Sequence, residues 1–168
     1  MENERARNDV LGRRTLITGA AWSAPLILGA VAAPLAIAST SVNVGDFQVL
    51  GSCGVLGLLG PGFTVQAGTS ELPAGTRIAI TGSGVANIGL LDVNGGAATV
   101  DVLSPSSRAV VLTAPLAAGA TLELRTALSI AVAFTLNAAL TLPSGYGAGA
   151  EAKSSGSVRS TLILCSAT

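Results

Sequence analysis

Cysteines 53 and 165, together with the carboxylates Asp46, Glu71, Asp92, Asp101, Glu123 and Glu151, are the side chains after residue 38 with the most chemistry to offer. Two carboxylates held across a cleft can hydrolyse a glycoside, one as acid and one as base or nucleophile. These, however, are scattered along the chain, and Asp101 and Glu123 fall on positions that alternate away from their apolar neighbours, where a carboxylate serves solubility. The chain has no histidine, which removes the Ser-His-Asp triad, the usual general base and most zinc sites. It also has no Gly-x-Ser-x-Gly elbow and no Ser-x-x-Lys. Asp92-Val93-Asn94-Gly95-Gly96 begins like a calcium loop but lacks the later oxygen ligands; as a hairpin turn it needs no metal. Gly145 to Ala150 is glycine-rich, yet no helical pattern follows to complete a phosphate cradle. The expectation is a chain with no catalytic residue, no cofactor and no metal.

The cysteines admit three fates. An even count in an exported chain favours a Cys53–Cys165 disulfide. If the domain folds in a reducing compartment first, the bond closes only afterwards. Leu50-Gly51-Ser52-Cys53 also has the residue types of a lipid-attachment site, although Asp46 lies just upstream of it. Among the aromatic residues, Phe134 falls on an apolar alternation and Phe47 and Phe63 flank strand patterns. Tyr146, in a loop, is the one candidate for an exposed ligand contact.

The elements that would position these groups follow from the rest of the sequence. Residues 1–38 read as an export signal, helical in its apolar part. Gly12-Arg13-Arg14-Thr15-Leu16-Ile17-Thr18 precedes an uncharged stretch from Gly19 to Ala38, the layout of a basic region, an apolar region and a small-residue cleavage site. Arg13, Arg14, Leu16 and Ile17 make the twin-arginine address, which a receptor reads. Ala36-Ile37-Ala38 before Ser39 supplies the cleavage pattern, so cleavage falls between Ala38 and Ser39. The stretch is rich in Gly and Ala and carries Pro25 and Pro34, which makes it less apolar and less helical than a stop-transfer segment. The segment from Arg13 to Pro25 closely resembles the leader of many exported proteins of high-GC Gram-positive bacteria, with Gly12 where Ser or Thr is usual and Thr18 where Lys is common. The resemblance implies the export machinery and a signal peptidase as partners.

Residues 39–168 form one all-β domain in this reading. From Leu122 to Leu142 every even position is apolar except Thr126, the signature of strands with one buried face. So long a run exceeds one strand, and a corner is expected near Thr126 to Ser129. Shorter alternations occur at Arg77–Thr81, Thr99–Leu103, Ala109–Thr113 and Ser160–Cys165. Asn94-Gly95 is the strongest signal for a type I′ hairpin. The pattern indicates an antiparallel β-sandwich, with a small barrel as the alternative. Leu72-Pro73-Ala74-Gly75-Thr76 and Leu116-Ala117-Ala118-Gly119-Ala120 echo one another as lead-ins to strands. The Leu-Pro-Ala-Gly-Thr segment and the strand rhythm resemble bacterial surface immunoglobulin-like modules, which implies a fold but no activity.

Nine basic and nine acidic residues cancel, and charged residues are only 11% of the chain, so a nucleic acid is not expected as partner. No apolar run suits a permanent membrane anchor. The expected protein is secreted or loosely held to a bacterial cell wall. It would act as a non-enzymatic structural or adhesive module with a cell-wall or protein partner. The alternative is a soluble glycan- or peptide-binding module that uses the loops at one end of the sandwich.

Overall fold

The computed structural model describes residues 41–168 apart from 55–59, 85–86, 130–132 and 162–163, and describes Leu90, Leu128 and Ser129 by their backbone only. The described residues contain no helix. In chain order the strands are β1 (Val42–Asn43), β2 (Gln48–Ser52), β3 (Gly62–Gln66), β4 (Arg77–Ser83), β5 (Asn87–Asn94) and β6 (Ala98–Ser104). They continue with β7 (Ser107–Leu112), β8 (Thr121–Ser129), β9 (Phe134–Thr141), β10 (Tyr146–Gly147), β11 (Ser155–Ser160) and β12 (Cys165–Ala167). A six-stranded antiparallel sheet has the order β12-β11-β9-β4-β7-β6, and a four-stranded one the order β2-β3-β8-β5. Neither closes into a barrel, and the short β1 and β10 form a separate parallel pair. The architecture is the antiparallel β-sandwich expected from the alternating sequence.

Alternation explains the core. Val49, Phe63, Val65, Leu122 and Leu124 line the inner face of the four-stranded sheet, and Ile78, Ile80, Val110, Leu112, Leu136, Ala138 and Val158 that of the six-stranded one. All are buried. Thr126, the polar exception in the apolar series, is buried as well, and its hydroxyl donates to the Pro61 carbonyl at 2.6 Å. With that bond made, β8 runs straight through Thr126 to Ser129, and the expected corner is absent there. The apolar series instead spans two strands in different sheets, β8 and β9.

Three further expectations are corrected. Asn94-Gly95 does not make a hairpin: β5 and β6 belong to different sheets, and Gly95 has a positive φ of 91° while Asn94 does not. A type I′ turn needs positive φ at both positions. Ser160–Cys165 is not one strand, because β11 ends at Ser160 and β12 begins at Cys165, with a bond from Thr161 N–H to Leu164 O (2.8 Å) between them. Val100 and Val102 share a face with the buried Val110 and Arg108 across the ladder, but are themselves exposed.

The echoed segments have a structural meaning. Leu72 and Leu116 exchange reciprocal backbone hydrogen bonds, N–H to O at 2.9 Å in both directions. Gly75 N–H donates to Leu112 O and Gly119 N–H to Gly68 O, both at 2.8 Å, so the same offset separates 68 from 112, 72 from 116 and 75 from 119. Each segment closes a tight turn, Pro73 to Thr76 and Ala117 to Ala120, with glycine at positive φ (84° and 70°) as its third residue. That is type II geometry, where glycine avoids a Cβ clash. The segments lead β3 into β4 and β7 into β8, while β3 pairs with β8 and β4 with β7. The two crossings therefore interlock about a local two-fold.

The opposite side of the sandwich is sewn together by backbone. Val49 N–H donates to Lys153 O, Lys153 N–H to Phe47 O, and Gly51 N–H to Thr168 O, each at 2.8 Å. Glycine is required at position 51, because a Cβ there would run into the Ser157 carbonyl. Beside this seam Cys53 and Cys165 are joined, with their Cα atoms 5.9 Å apart. The bond links the end of β2 to the start of β12 and so ties one sheet to the other.

Replacing Leu72 by Ala should lower unfolding free energy by about 2–5 kcal/mol, the usual cost of truncating a fully buried leucine. Gly119→Ala should cost about 1–2 kcal/mol from backbone strain alone, since an added Cβ would meet nothing within 4 Å. Urea titration reads both. Because the disulfide spans 112 residues, the Cys53→Ser, Cys165→Ser double variant should lose about 4–5 kcal/mol while keeping its β-sheet circular dichroism.

Candidate functional site

The expected site residues fall into three groups. Arg13, Arg14, Leu16, Ile17, Ala36, Ala38 and Ser39 lie outside the described residues. Cys53 and Cys165 are bonded to each other, which leaves neither as a nucleophile, a ligand or a lipid acceptor in this structure. Tyr146 sits in β10, where it pairs with Val42; both are exposed. Gly149 N–H bonds to Gly45 O (2.8 Å) and Glu151 N–H to the Asp46 carboxylate (3.0 Å). These bonds bring the β10 loop to the end of the sandwich where β2 begins.

At that end an open groove of about 580 Å³ and mixed polarity is lined by Asp46, Gln48, Gln66, Thr69, Ala118 and Gly119 among others. Gln48 and Gln66 are direct cross-strand partners, so their amides project side by side from the outer face of the sheet. Of the carboxylates only Asp46 reaches this groove. Asp92 and Glu123 lie on the outer face of the same sheet, opposite Arg125 and Asn94 respectively. The Arg125 guanidinium donates to Ser52 Oγ at 2.6 Å and lies 3.8 Å from Glu123, and Asn94 Nδ2 donates to Asp92 at 3.0 Å. Asp101 and Glu123, expected on solvent-facing positions, lie on strands of different sheets. No cluster of three or more His, Cys, Asp or Glu side chains is placed to hold a metal among the described residues.

The most unusual surface is at the other edge. Among the described residues β6 ends the six-stranded sheet, pairs only with β7, and is exposed along its middle. The facing sheet has two strands fewer, so the inner side of β6 is covered at Ala98, which packs against the core, and is left open toward Val102. Val102 is 71% exposed and Leu103 53%. Ala97 O accepts from Thr113 N–H at 2.9 Å, which turns the backbone groups of odd-numbered residues toward β7. Those of Ala98, Val100 and Val102 therefore point outward, with no partner among the described residues. A bulge between Val102 and Ser104 ends the regular ladder.

Arg108, which the sequence reading passed over, holds this edge in place. It is 94% buried by its 6% exposure, and its guanidinium donates to the carbonyls of Ser104, Ser107 (2.9 Å) and Ile88 and to the Asn87 side chain (3.3 Å). Ile88 N–H returns a bond to Pro105 O at 2.8 Å. One cation thus ties the β6–β7 turn in one sheet to β5 in the other. Buried charge is costly unless its donors are satisfied, and here carbonyls do so. The signal was present in the sequence, since the apolar alternation of Val110 and Leu112 runs back onto Arg108.

No protein-family model matches this sequence, and no curated protein is similar enough to register as a relative.

Arg108→Met should cost about 1.5–3 kcal/mol or more, because it strands carbonyls that now receive charged hydrogen bonds. Arg108→Lys should recover only part of the loss, since one ammonium cannot bridge both strands as the planar fork does. Hydrogen exchange should accelerate first at the Ile88 amide, whose partner Pro105 sits in the anchored turn.

Proposed function

We propose that this chain is an exported, non-enzymatic structural or adhesive module that works by adding a strand of another polypeptide to the free edge of β6. The observation that carries the reading is the β6 ledge: outward backbone groups at Ala98, Val100 and Val102, flanked by the exposed apolar side chains of Val102 and Leu103. Backbone pairing supplies affinity in strand addition, and side chains beside the edge supply selectivity. The anchoring of the β6–β7 turn by Arg108 supports the same reading, because a pre-set edge loses less entropy on binding.

Export through the twin-arginine route rests on Arg13 and Arg14, with cleavage after Ala38. The long-range disulfide supports an oxidising destination. Release into the medium or loose attachment to the wall is part of the same proposal. Among the described residues no helix is long and apolar enough to cross a membrane.

A second reading, a soluble glycan- or peptide-binding module, draws on the groove around Asp46, Gln48 and Gln66 and on the exposed Val42–Tyr146 pair at the same end. Planar amides and an exposed aromatic ring suit a polar ligand with one apolar face. A glycan array whose signal falls on Tyr146→Ala would favour it over the edge.

Cell fractionation tests the main proposal. The Arg13→Lys, Arg14→Lys double variant should stay in the cytoplasm, whereas the wild type reaches the wall or medium. Val102→Lys should be exported normally but should lose its envelope retention several-fold. Unchanged retention in that variant would count against the edge as the working surface.

A further inference from the structure

The geometry points to a second copy of this chain as the occupant of the β6 edge, paired antiparallel about a two-fold through Val100. This rests on the strand-addition reading and names its partner.

The argument lies in how side-chain size and charge run along the edge. From residue 96 to 103 the sequence is Gly-Ala-Ala-Thr-Val-Asp-Val-Leu, small at its start and large at its end. Laid against itself antiparallel with Val100 opposite Val100, it sets Val102 against Ala98 and Leu103 against Ala97. Each bulky exposed side chain thus meets a small one. The outward N–H and C=O groups of Ala98, Val100 and Val102 all find partners, because 98 faces 102 and 100 faces 100.

Charge selects the same register. Asp101 faces Thr99 of the other copy at a non-hydrogen-bonded position, where side chains approach most closely, and a threonine hydroxyl can donate to a carboxylate. Moving the axis to residue 101 would put the two Asp101 carboxylates directly opposite, which is destabilising. Moving it to residue 102 would place Asp101 against Leu103 and drive the ladder into the bulge after Val102. Of these three axes only the one through Val100 avoids both, and it keeps all three outward residues, 98, 100 and 102, in the ladder.

The rest of the fold makes the assembly close at two copies. The outer edge of β2 is occupied by Lys153 and Thr168. β5 carries a bulge between Ile88 and Leu91 and the charge of Asp92, devices that discourage pairing. β12 is only three residues long. An isologous contact through one edge gives a dimer and no fibre. One strand pair buries little surface, which places the affinity in the weak class.

Cysteine cross-linking of the purified protein reads the register. Thr99→Cys and Asp101→Cys variants, mixed and mildly oxidised, should give a covalent dimer, while neither alone should do so efficiently. Sedimentation equilibrium should show wild-type protein moving from monomer to dimer as concentration rises, with Val102→Lys weakening the association at least tenfold. Cross-linking by Asp101→Cys alone, or a strictly monomeric wild type up to about millimolar concentration, would overturn the inference. If that monomer still loses envelope retention on Val102→Lys, the strand-addition reading stands with a different partner; if retention is also unchanged, both fall.

Discussion

The reciprocal bond between Leu72 and Leu116 is the constraint on which the sandwich depends. Two sheets stacked face to face gain their apolar contacts only if the chain can cross between them without leaving backbone groups buried and unpaired. Here both central crossings are made at one place, and each satisfies the other. Leu72 and Leu116 bond together, the glycine of each turn bonds into the run-up of the other, and both leucine side chains enter the core. The strands that leave this junction are the ones that pair across it, β3 with β8 and β4 with β7. Sheet order, register and core alignment are therefore set together, and the remaining strands add outward from this centre.

Unequal sheet widths have a second effect. A six-stranded sheet over a four-stranded one must overhang, and the overhang falls at β6 because the opposite side is sewn to β2 by backbone and disulfide. β6 was written as an ordinary half-buried strand, and by alternation its valines do face inward. They are exposed because the facing sheet stops short. Arg108 is the compensation: it fixes the overhanging hairpin to β5 with one side chain rather than an additional strand.

How much of this was legible in the sequence varied with how local the determining physics is. Alternation correctly assigned the faces of β4, β7, β8 and β9, because burial of every second side chain is written directly into residue order. The disulfide was legible from cysteine count and compartment. Asn94-Gly95 misled because turn chemistry reports a reversal and not which sheet receives the next strand. Thr126 misled because its buried hydroxyl is satisfied by Pro61, a partner far away in sequence. Of the candidate surface, Tyr146 was offered as an exposed contact in a loop; it is exposed, but it lies in the short strand β10, and Arg108 was readable as a charge on an apolar face. The ledge was not, since no property of residues 98–104 reveals the width of the opposing sheet. The echo between residues 72–76 and 116–120 was visible, but its meaning lies in pairing between segments, which sequence similarity alone does not express.

The cross-link between Cys53 and Cys165 also determines how the domain carries force. Nearly all the strands lie between these two residues, and the 112-residue separation is bridged by one covalent bond. Tension that reaches the cysteines passes from Cys53 across the sulfur pair to Cys165, bypassing the strands enclosed between them, β3 to β11. The enclosed strands cannot be peeled apart in sequence, as they would be in an uncross-linked sandwich. Under load the oxidised domain behaves as an inextensible link, and the same domain with its thiols reduced becomes a spring that can be pulled out strand by strand.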